Sequence, residues 1–442
     1  MAVEQTAGAE IRMQLLDLGS SRDGPVSAVS PARHTHGVVI GGGLTGLLAA
    51  RVLANHVDRV TLIDRQPLPR LPELVAGGAP AVYPHVHIAR GPGSLDTLLP
   101  GLTSELVTSG AVLVDPARDV TWLSTSGRNA PAPASVGSVL TCSRELIEWH
   151  VRRRVSMLPS VHLLEGVEVF ALSANGPGRA VNGIHVRPSS HGRSHGDAAS
   201  QLRDTVFAAD FVVDATGDAA SADEWLHQLG FPLPSERCEL ASWSASSLFT
   251  LTSSCAMNAN GVIDVRGCGR PRTSASVSAP DERGEHEGPR ALLLPIERGR
   301  MMITLRDAWP SEPPANAADF LARADAFGHD ALTAALPVSD RLGPIAVRRD
   351  EWRDGTDRIA PGAWPARFVS FGVMSRWPDL ADTASTMTLG LAAQTLDRLI
   401  GARDRTDRAD VFAGVAGAFQ RALVRLARDG AARSSSVLSR PA

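Results

Sequence analysis

The 442-residue chain contains no lysine; all 44 of its basic side chains other than histidine are arginines. No physical requirement excludes lysine so completely, so the absence is read as the coding bias of a GC-rich genome, in keeping with abundant alanine, arginine and glycine. One tyrosine stands against eight tryptophans. The four cysteines (Cys142, Cys238, Cys255, Cys268) form no C-x-x-C pair. A zinc site or redox pair is therefore unsupported, and a reducing cytoplasm is the simpler setting. No apolar run approaches the roughly 18 residues of a membrane span. Net charge is only −3, so nothing draws the chain to nucleic acid or to acidic membranes. The N-terminus lacks a basic stretch followed by an apolar core, so no signal peptide is expected.

What is present is ordinary for a soluble globular protein: 43% hydrophobic and 21% charged residues, in a chain long enough for two or three packed units. Residues 1–34, rich in Ser, Ala, Gly and Pro, read as a mostly disordered leader with one short helix around Ile11–Leu18. From His36 the pattern sharpens. "GVVI" is a short buried strand, "GGGLTG" turns into a helix with Leu47, Leu48, Val52 and Leu53 on its apolar side, and "RVTLID" is the next strand. Ser143–Leu158 has helical spacing. "VHLLEGVEVFAL" and "GIHVRP" read as strands, and "FVVDATG" as a buried strand ending at Gly217. Residues 238–253 and 291–305 read as longer strands of an antiparallel sheet, with an extended loop across 256–288. Near the C-terminal end, Val411, Val415, Phe419, Leu423 and Leu426 share a helical face that packs on its own domain, with Gly430 as the expected stop.

In "GGGLTG" the pattern G-x-G-x-x-G falls on Gly41, Gly43 and Gly46. The first glycine permits the tight turn, the second lets backbone approach a pyrophosphate, and the third allows close helix–strand packing. Leu44 and Thr45 open the helix, whose N-terminus offers N–H groups and a positive dipole end to phosphate. Asp64 ends the second strand, where a carboxylate would bind a ribose hydroxyl pair. Strand, helix and terminal acid together make this a dinucleotide site.

Further segments suggest which dinucleotide. "CSRELIEWHVRRRV", "FVVDATGDAASADEWLHQLGFPLP", "HVHIARGPGSLDTLLPGLTSELVTSGA" and "GPRALLLPIERGRMMITL" resemble, across residues 36–425, the FAD-dependent monooxygenase superfamily. Within it, the chain resembles the group of actinobacterial polyketide epoxidases. The resemblance implies an α/β fold with a Rossmann-like FAD-binding domain of the hydroxylase type. A mixed, largely antiparallel substrate sheet and a C-terminal helix would complete it. It implies non-covalent FAD, reduced by a nicotinamide cofactor, and oxygen insertion. Arg144 would lie near the flavin, and Gly217 and Gly372 at strand ends facing it. The implied segments are a flavin-binding domain over 35–75, 96–232 and 340–402, a substrate domain over 76–95 and 233–339, a C-terminal helix over 403–431, and disordered ends at 1–34 and 432–442.

The departures from that pattern bear on function. Where the family has Gly-Asp, with the acid accepting from the ribityl chain, this chain has Gly372-Val373. Where the family has an open glycine turn against the isoalloxazine ring, it has "PDLADTAS", with Leu380, Ala381 and Ala384. Asp382 is the expected N-cap of the next helix, a carboxylate that would repel an anionic flavin. Pro84 replaces an arginine before H-x-H, and "TGDAAS" a basic run. The adenosine half of the site is therefore expected to be intact and the isoalloxazine half dismantled, leaving FAD structural, weakly bound or lost. Redox-silent relatives resembling the pyrroindomycin-type decalin cyclases fold a polyene into a [4+2] cycloaddition. That reaction needs an apolar cavity holding diene and dienophile near attack geometry rather than an acid–base pair. Candidate pocket residues are Trp243, Ser244, Met301, Ile303, Met374 and Trp377. A polyketide-like small molecule is the expected partner, with flavin-dependent epoxidation or plain binding as the alternatives. No metal is expected: His191 and His195 lie in a Gly/Ser loop, and His85 and His87 alternate on a strand as structural or flavin-proximal residues. Nothing in the sequence points to an oligomeric state.

Overall fold

A computed structural model describes residues 35–72, 85–89, 91, 93–115, 120–123, 138–175, 180–189, 205–217, 219–231, 237–250, 262–266, 290–308, 310–326, 341–354, 364–372, 384–404, 412 and 414–437. The leader, the 191–201 loop, Pro84, Asp218 and residues 373–383, with Val373, Met374, Trp377, Leu380 and Asp382, lie outside the described residues.

In chain order, the first half contains β1 (His36–Ile40), α1 (Leu44–Leu53), β2 (Arg59–Asp64), β3 (His85–Ile88), α2 (Leu102–Thr108), β4 (Val112–Val114), β5 (Val120–Leu123), β6 (Val139–Cys142), α3 (Arg144–Ser156), β7 (Val161–Glu165), β8 (Val167–Ala174), β9 (Val181–Pro188), β10 (Thr205–Ala208) and β11 (Phe211–Asp214). Then follow α4 (Ala219–Gln228), β12 (Arg237–Thr250), β13 (Val262–Arg266), β14 (Arg290–Ile296), β15 (Arg300–Ala308), α5 (Ala317–Asp325), β16 (Ala346–Asp354), β17 (Phe368–Ser370), α6 (Ala384–Asp404) and α7 (Val415–Val437).

Four sheets organise these elements. The first, in the order β17-β11-β1-β2-β7, is parallel throughout. Its strands are apolar runs because both faces are covered. One face packs under α1, α3, α6 and α7 through Val39, Leu47, Ile147, Phe211, Leu396 and Phe419. The other packs on the antiparallel sheet β10-β9-β8 and on Trp225 and Leu226 of α4. The largest sheet, β16-β12-β15-β14-β13-β5, is antiparallel except for the β13–β5 pair. The α/β fold with a mixed, largely antiparallel second sheet is as the resemblance implies.

A small sheet, β3-β6-β4, sits between the two halves. Val114 and Val139 meet Leu292 and Leu294 of the large sheet, and Thr141 Oγ1 donates to the Pro295 carbonyl at 2.6 Å. The turn between β14 and β15 adds a polar latch. Glu297, 2% exposed, accepts from the Ser143 backbone N–H at 2.9 Å and from Arg300 Nη2 at 2.7 Å. The same Ser143 caps α3 by accepting from Leu146 N–H.

Several expectations need correction. β5 and β16, assigned by sequence to flavin-binding segments, pair into the large sheet, and β3, assigned to the substrate segments, pairs with β6. Alternation identifies a strand but not the sheet that recruits it. Val262–Arg266 is a strand inside the expected 256–288 loop. Gly430 does not stop the last helix, which runs to Val437. An interior glycine costs only about 1 kcal/mol and ends a helix chiefly where the chain must turn left-handed. The helix does pack on its own domain, with Val415, Phe419 and Leu423 buried. Among the described residues, no helix is long and apolar enough to cross a membrane.

Candidate functional site

Because β1, β2, β11 and β17 run parallel and in register, their ends share one edge of the sheet. Ile40 stands opposite Ile63 and Asp214, and Asp214 opposite Ser370. That carboxyl edge is where open α/β sheets receive ligands. The structure brings Gly41, Gly43, Leu44, Thr45, Gly46, Asp64, Gly217 and Gly372 to it.

Gly41 and Gly46 are sterically required there. Gly41 has φ +105°, and a Cβ on it would lie 2.6 Å from the Ala215 carbonyl oxygen. A Cβ on Gly46 would fall 1.8 Å from the Gly41 carbonyl oxygen, so α1 lies directly on the turn. Gly43 is the N-cap of α1, with extended backbone, no side-chain cap and no acid in the helix's first turn. A side chain here would crowd the Arg144 guanidinium, 3.3 Å from the would-be Cβ. The N–H groups of the first turn have no intrahelical acceptor. Leu44 N–H donates to Glu148 Oε1 at 3.1 Å. Thr45 and Gly46 are next in line for a phosphate.

Asp64 accepts from Gly42 N–H at 2.6 Å and from Gln66 N–H at 2.7 Å. It holds the glycine turn against β2 and, only partly buried, keeps lone pairs for ribose hydroxyls. Arg144, half exposed at the start of α3, pairs with Glu148 at 2.7 Å. The Glu148 carboxylate raises the guanidinium's pKa, so Arg144 stays charged. These residues fit the ADP portion of a dinucleotide: a cradle no side chain could share, a helix N-terminus, a ribose acid and a cation.

Gly217, with φ +74° and open space around it, follows β11 in the "DATG" turn. Beside it a buried polar network ties the edge together. Asp214 accepts from Thr216 N–H and Oγ1 at 3.0 and 2.8 Å and from Ser370 Oγ at 2.5 Å. Ser370 Oγ in turn accepts from Gly372 N–H at 3.0 Å, and Gln420 of α7 donates to the Ser370 carbonyl at 3.0 Å. Sequence reasoning missed Glu148, Glu297 and this network. Glu148 was detectable, since it stands four residues from Arg144 on a helix. The rest join residues distant in sequence, with no local signal.

The candidate pocket residues separate. Trp243, Met301 and Ile303 fill the core between the large sheet and Phe320 and Ala324 of α5. Alternation puts Ser244 on the opposite face, with Ser242 and Ser246. Alternation separates two faces but does not say which one a helix covers, and here α5 covers the tryptophan face. His87 is fully buried, and neither ring nitrogen has a hydrogen-bond partner. Burial lowers its pKa to about 4. Among the described residues, no group of three His, Cys, Asp or Glu side chains is placed to hold a metal ion.

Comparisons with known proteins bear on this geometry. A profile for pyridine nucleotide-disulphide oxidoreductases matches residues 36–76, the span from β1 past Asp64. Protein Rv3254 of Mycobacterium tuberculosis is 27% identical over 389 residues, covering 86% of this chain and 75% of its own. Among solved structures, p-nitrophenol 4-monooxygenase PnpA from Pseudomonas putida superposes with a TM-score of 0.60 at 13% identity, covering 92% of this chain and 90% of PnpA. PqsL, a probable FAD-dependent monooxygenase from Pseudomonas aeruginosa, gives 0.58 at 15%, covering 92% and 97%. The chain has the flavin-dependent monooxygenase fold. That fold also carries the Diels-Alderase PyrE3 of pyrroindomycin biosynthesis, similar to this chain with a TM-score of 0.54 at 13% identity, over 91% of this chain and 73% of PyrE3.

Proposed function

We propose that this protein is a cytoplasmic natural-product enzyme that uses the flavin monooxygenase scaffold for redox-neutral ring closure of a polyketide-like chain, a [4+2] cycloaddition being the best fit. The observation that carries this reading is an asymmetry. The glycine turn, Asp64 and Arg144 expected of the ADP half are all present, while the segment after Gly372 reads Val373, Leu380 and Asp382 where flavoenzymes of this fold keep an acceptor and open glycines. The similarity to PyrE3 supports it.

Gly41, Gly43, Thr45, Gly46, Asp64 and Arg144 would hold FAD by its ADP end. When bound and reducible, FAD supplies hydride acceptance and oxygen activation. In the proposed reaction the chain's own residues do the work. The β3-β6-β4 sheet and the serine face of β12 hold the substrate in a reactive fold and exclude water, so orientation supplies several kcal/mol of the barrier. A hydroxyl donating to a conjugated carbonyl adds electrostatic help.

A second reading, FAD-dependent epoxidation or hydroxylation, is favoured by the intact ADP half and by the likeness to PnpA and PqsL. The visible spectrum of purified protein separates the two. Stoichiometric flavin that NADPH bleaches, with oxygen consumed, would overturn the redox-neutral reading. Ring closure of a pathway intermediate by protein that consumes neither NADPH nor oxygen would overturn the oxygenase. If an intermediate binds and neither reaction occurs, the protein is a binding descendant of such an enzyme.

A further inference from the structure

Glu148 takes the partners of a phosphate oxygen. Its Oε1 accepts from Leu44 N–H, at the start of α1, at 3.1 Å and from Arg144 Nε at 2.7 Å. A helix N-terminal N–H and a guanidinium are the donors that hold phosphate in many proteins. The same oxygen lies 3.5 Å from where a Cβ on Gly43 would stand. It therefore sits against the glycine through which backbone would meet a pyrophosphate. Helix α1 has neither a side-chain cap nor an acid in its first turn. The carboxylate that answers it comes from α3, 104 residues away.

A second partner stands on the same helix. Arg144 and Arg152 flank Glu148 one turn to either side on α3, at the spacing that lets helix side chains meet. Of the two orders, the acid N-terminal to the base is the better one, and that is the order of Glu148 and Arg152. Burial lowers the Arg152 pKa, and Glu148 is foremost among the acids that oppose this, so the two lie within electrostatic reach. Arg152 is anchored by Nη1, which donates to the Pro69 carbonyl at 2.7 Å, while its buried Nε has no hydrogen-bond partner. An unanswered guanidinium N–H, one turn beyond a carboxylate, calls for an explanation.

We propose that Glu148 is a displaceable stand-in for the diphosphate of the nucleotide. Bound to Leu44 and Arg144 it closes the cradle; an arriving diphosphate takes both donors, and the carboxylate passes to Arg152. One N–H does not serve two anionic oxygens, and two anions in contact repel, so carboxylate and diphosphate exclude each other. This deepens the ADP-binding reading above and rests on it. Its consequence is a weaker, exchangeable hold on the nucleotide: a cradle open about a tenth of the time raises the apparent Kd about tenfold.

The test titrates full-length protein with FAD, ADP and adenosine by calorimetry and follows Tm with and without FAD. Glu148→Gln is expected to tighten FAD and ADP about tenfold, as removal of a competing occupant requires, and to leave adenosine, which has no phosphate, unchanged. Its Tm should fall without nucleotide and recover with saturating FAD, whereas a purely structural role would lower both alike. Glu148→Ala carries the same expectations if Glu148→Gln does not fold. Arg152→Gln removes the receiving charge and should weaken ADP two- to threefold, about the size of a helix ion pair. Beside Glu148→Gln that loss should shrink, because the double-mutant cycle isolates the pair. Unchanged or weaker ADP binding by Glu148→Gln, adenosine tightening as much as ADP, or additive effects of the two substitutions would each overturn the proposal. The outcomes also keep the two readings apart. Equal FAD binding by wild type and Glu148→Gln removes only the stand-in. A gain for ADP with no binding of FAD keeps the stand-in and removes the cofactor from the proposed function. If neither protein binds ADP or FAD, both readings fall.

Discussion

At the proposed adenosine end of the sheet edge, Asp64 and the start of α1 are answered from within the chain. Asp64 holds Gly42 and Gln66 N–H groups, and Glu148 holds Leu44 N–H. Around the opposite end, where the chain leaves Gly372 and α6 begins, buried atoms lack partners: both nitrogens of His87, Oγ1 of Thr388 and Oε1 of Gln420. The adenosine end is organised before any ligand arrives. The other end is held by apolar packing and by the tie from Asp214 through Ser370 to Gln420, with polar atoms left over. The two ends can differ in this way because different elements build them: α1 and β2 for the first, β17, α6 and α7 for the second.

The most severe way to break this comparison is to fill the glycine cradle. Gly46→Ala drives a methyl group into the Gly41 carbonyl, and overpacking of this kind costs up to about 3 kcal/mol, the upper end applying where backbone is struck. A large fall in Tm is expected, with no saturable FAD binding by fluorescence titration. A variant that melts like wild type would mean that α1 does not rest on the turn.

His87 gives the next largest effect. Its folded pKa is lowered to about 4 by burial, against an unfolded value near 6.5. Protonation therefore favours the unfolded chain. Stability is full above pH 6.5 and is lost as pH falls towards 4, by at most roughly 3 kcal/mol. The difference between denaturation free energies of wild type and His87→Leu, measured from pH 7 to 4, should trace this limb. A pH-independent difference would show that His87 has a partner after all.

Asp64→Ala tests the ordered end. Losing the ribose acid and its grip on Gly42 should weaken FAD binding about 30-fold, or about 2 kcal/mol. An unchanged Kd would place the ribose elsewhere. The smallest effect should come from restoring the other end: Val373→Asp returns one acceptor and should tighten FAD about tenfold. No gain would show that Val373 does not stand where other flavoenzymes of this fold keep their acid.

The local parts of this molecule were legible and the relational parts were not. The glycine turn, α1, β2 and Asp64 lie within one short β-α-β unit, where periodicity and spacing carry the information. The latch from Glu297 to Ser143 and the tie from Ser370 to Asp214 and Gln420 join distant segments, and nothing local marks them. The serine face is an intermediate case. Alternation grouped Ser242, Ser244 and Ser246 correctly, yet only the placement of α5 shows that Trp243, Met301 and Ile303 belong to the core behind it.

The parallel sheet also sets a schedule for synthesis. β1 leaves the ribosome more than 300 residues before β17, which completes its sheet. Helix α7 and the segment before it close the hydrophobic cover: Phe412 stacks on Phe211 and Phe419 packs against Phe371. At roughly 5–20 residues per second, the nascent β1 waits on the order of tens of seconds for those partners. During that time the unit has open strand edges and an uncovered apolar face, so the nucleotide half cannot mature from its N-terminal side as it emerges.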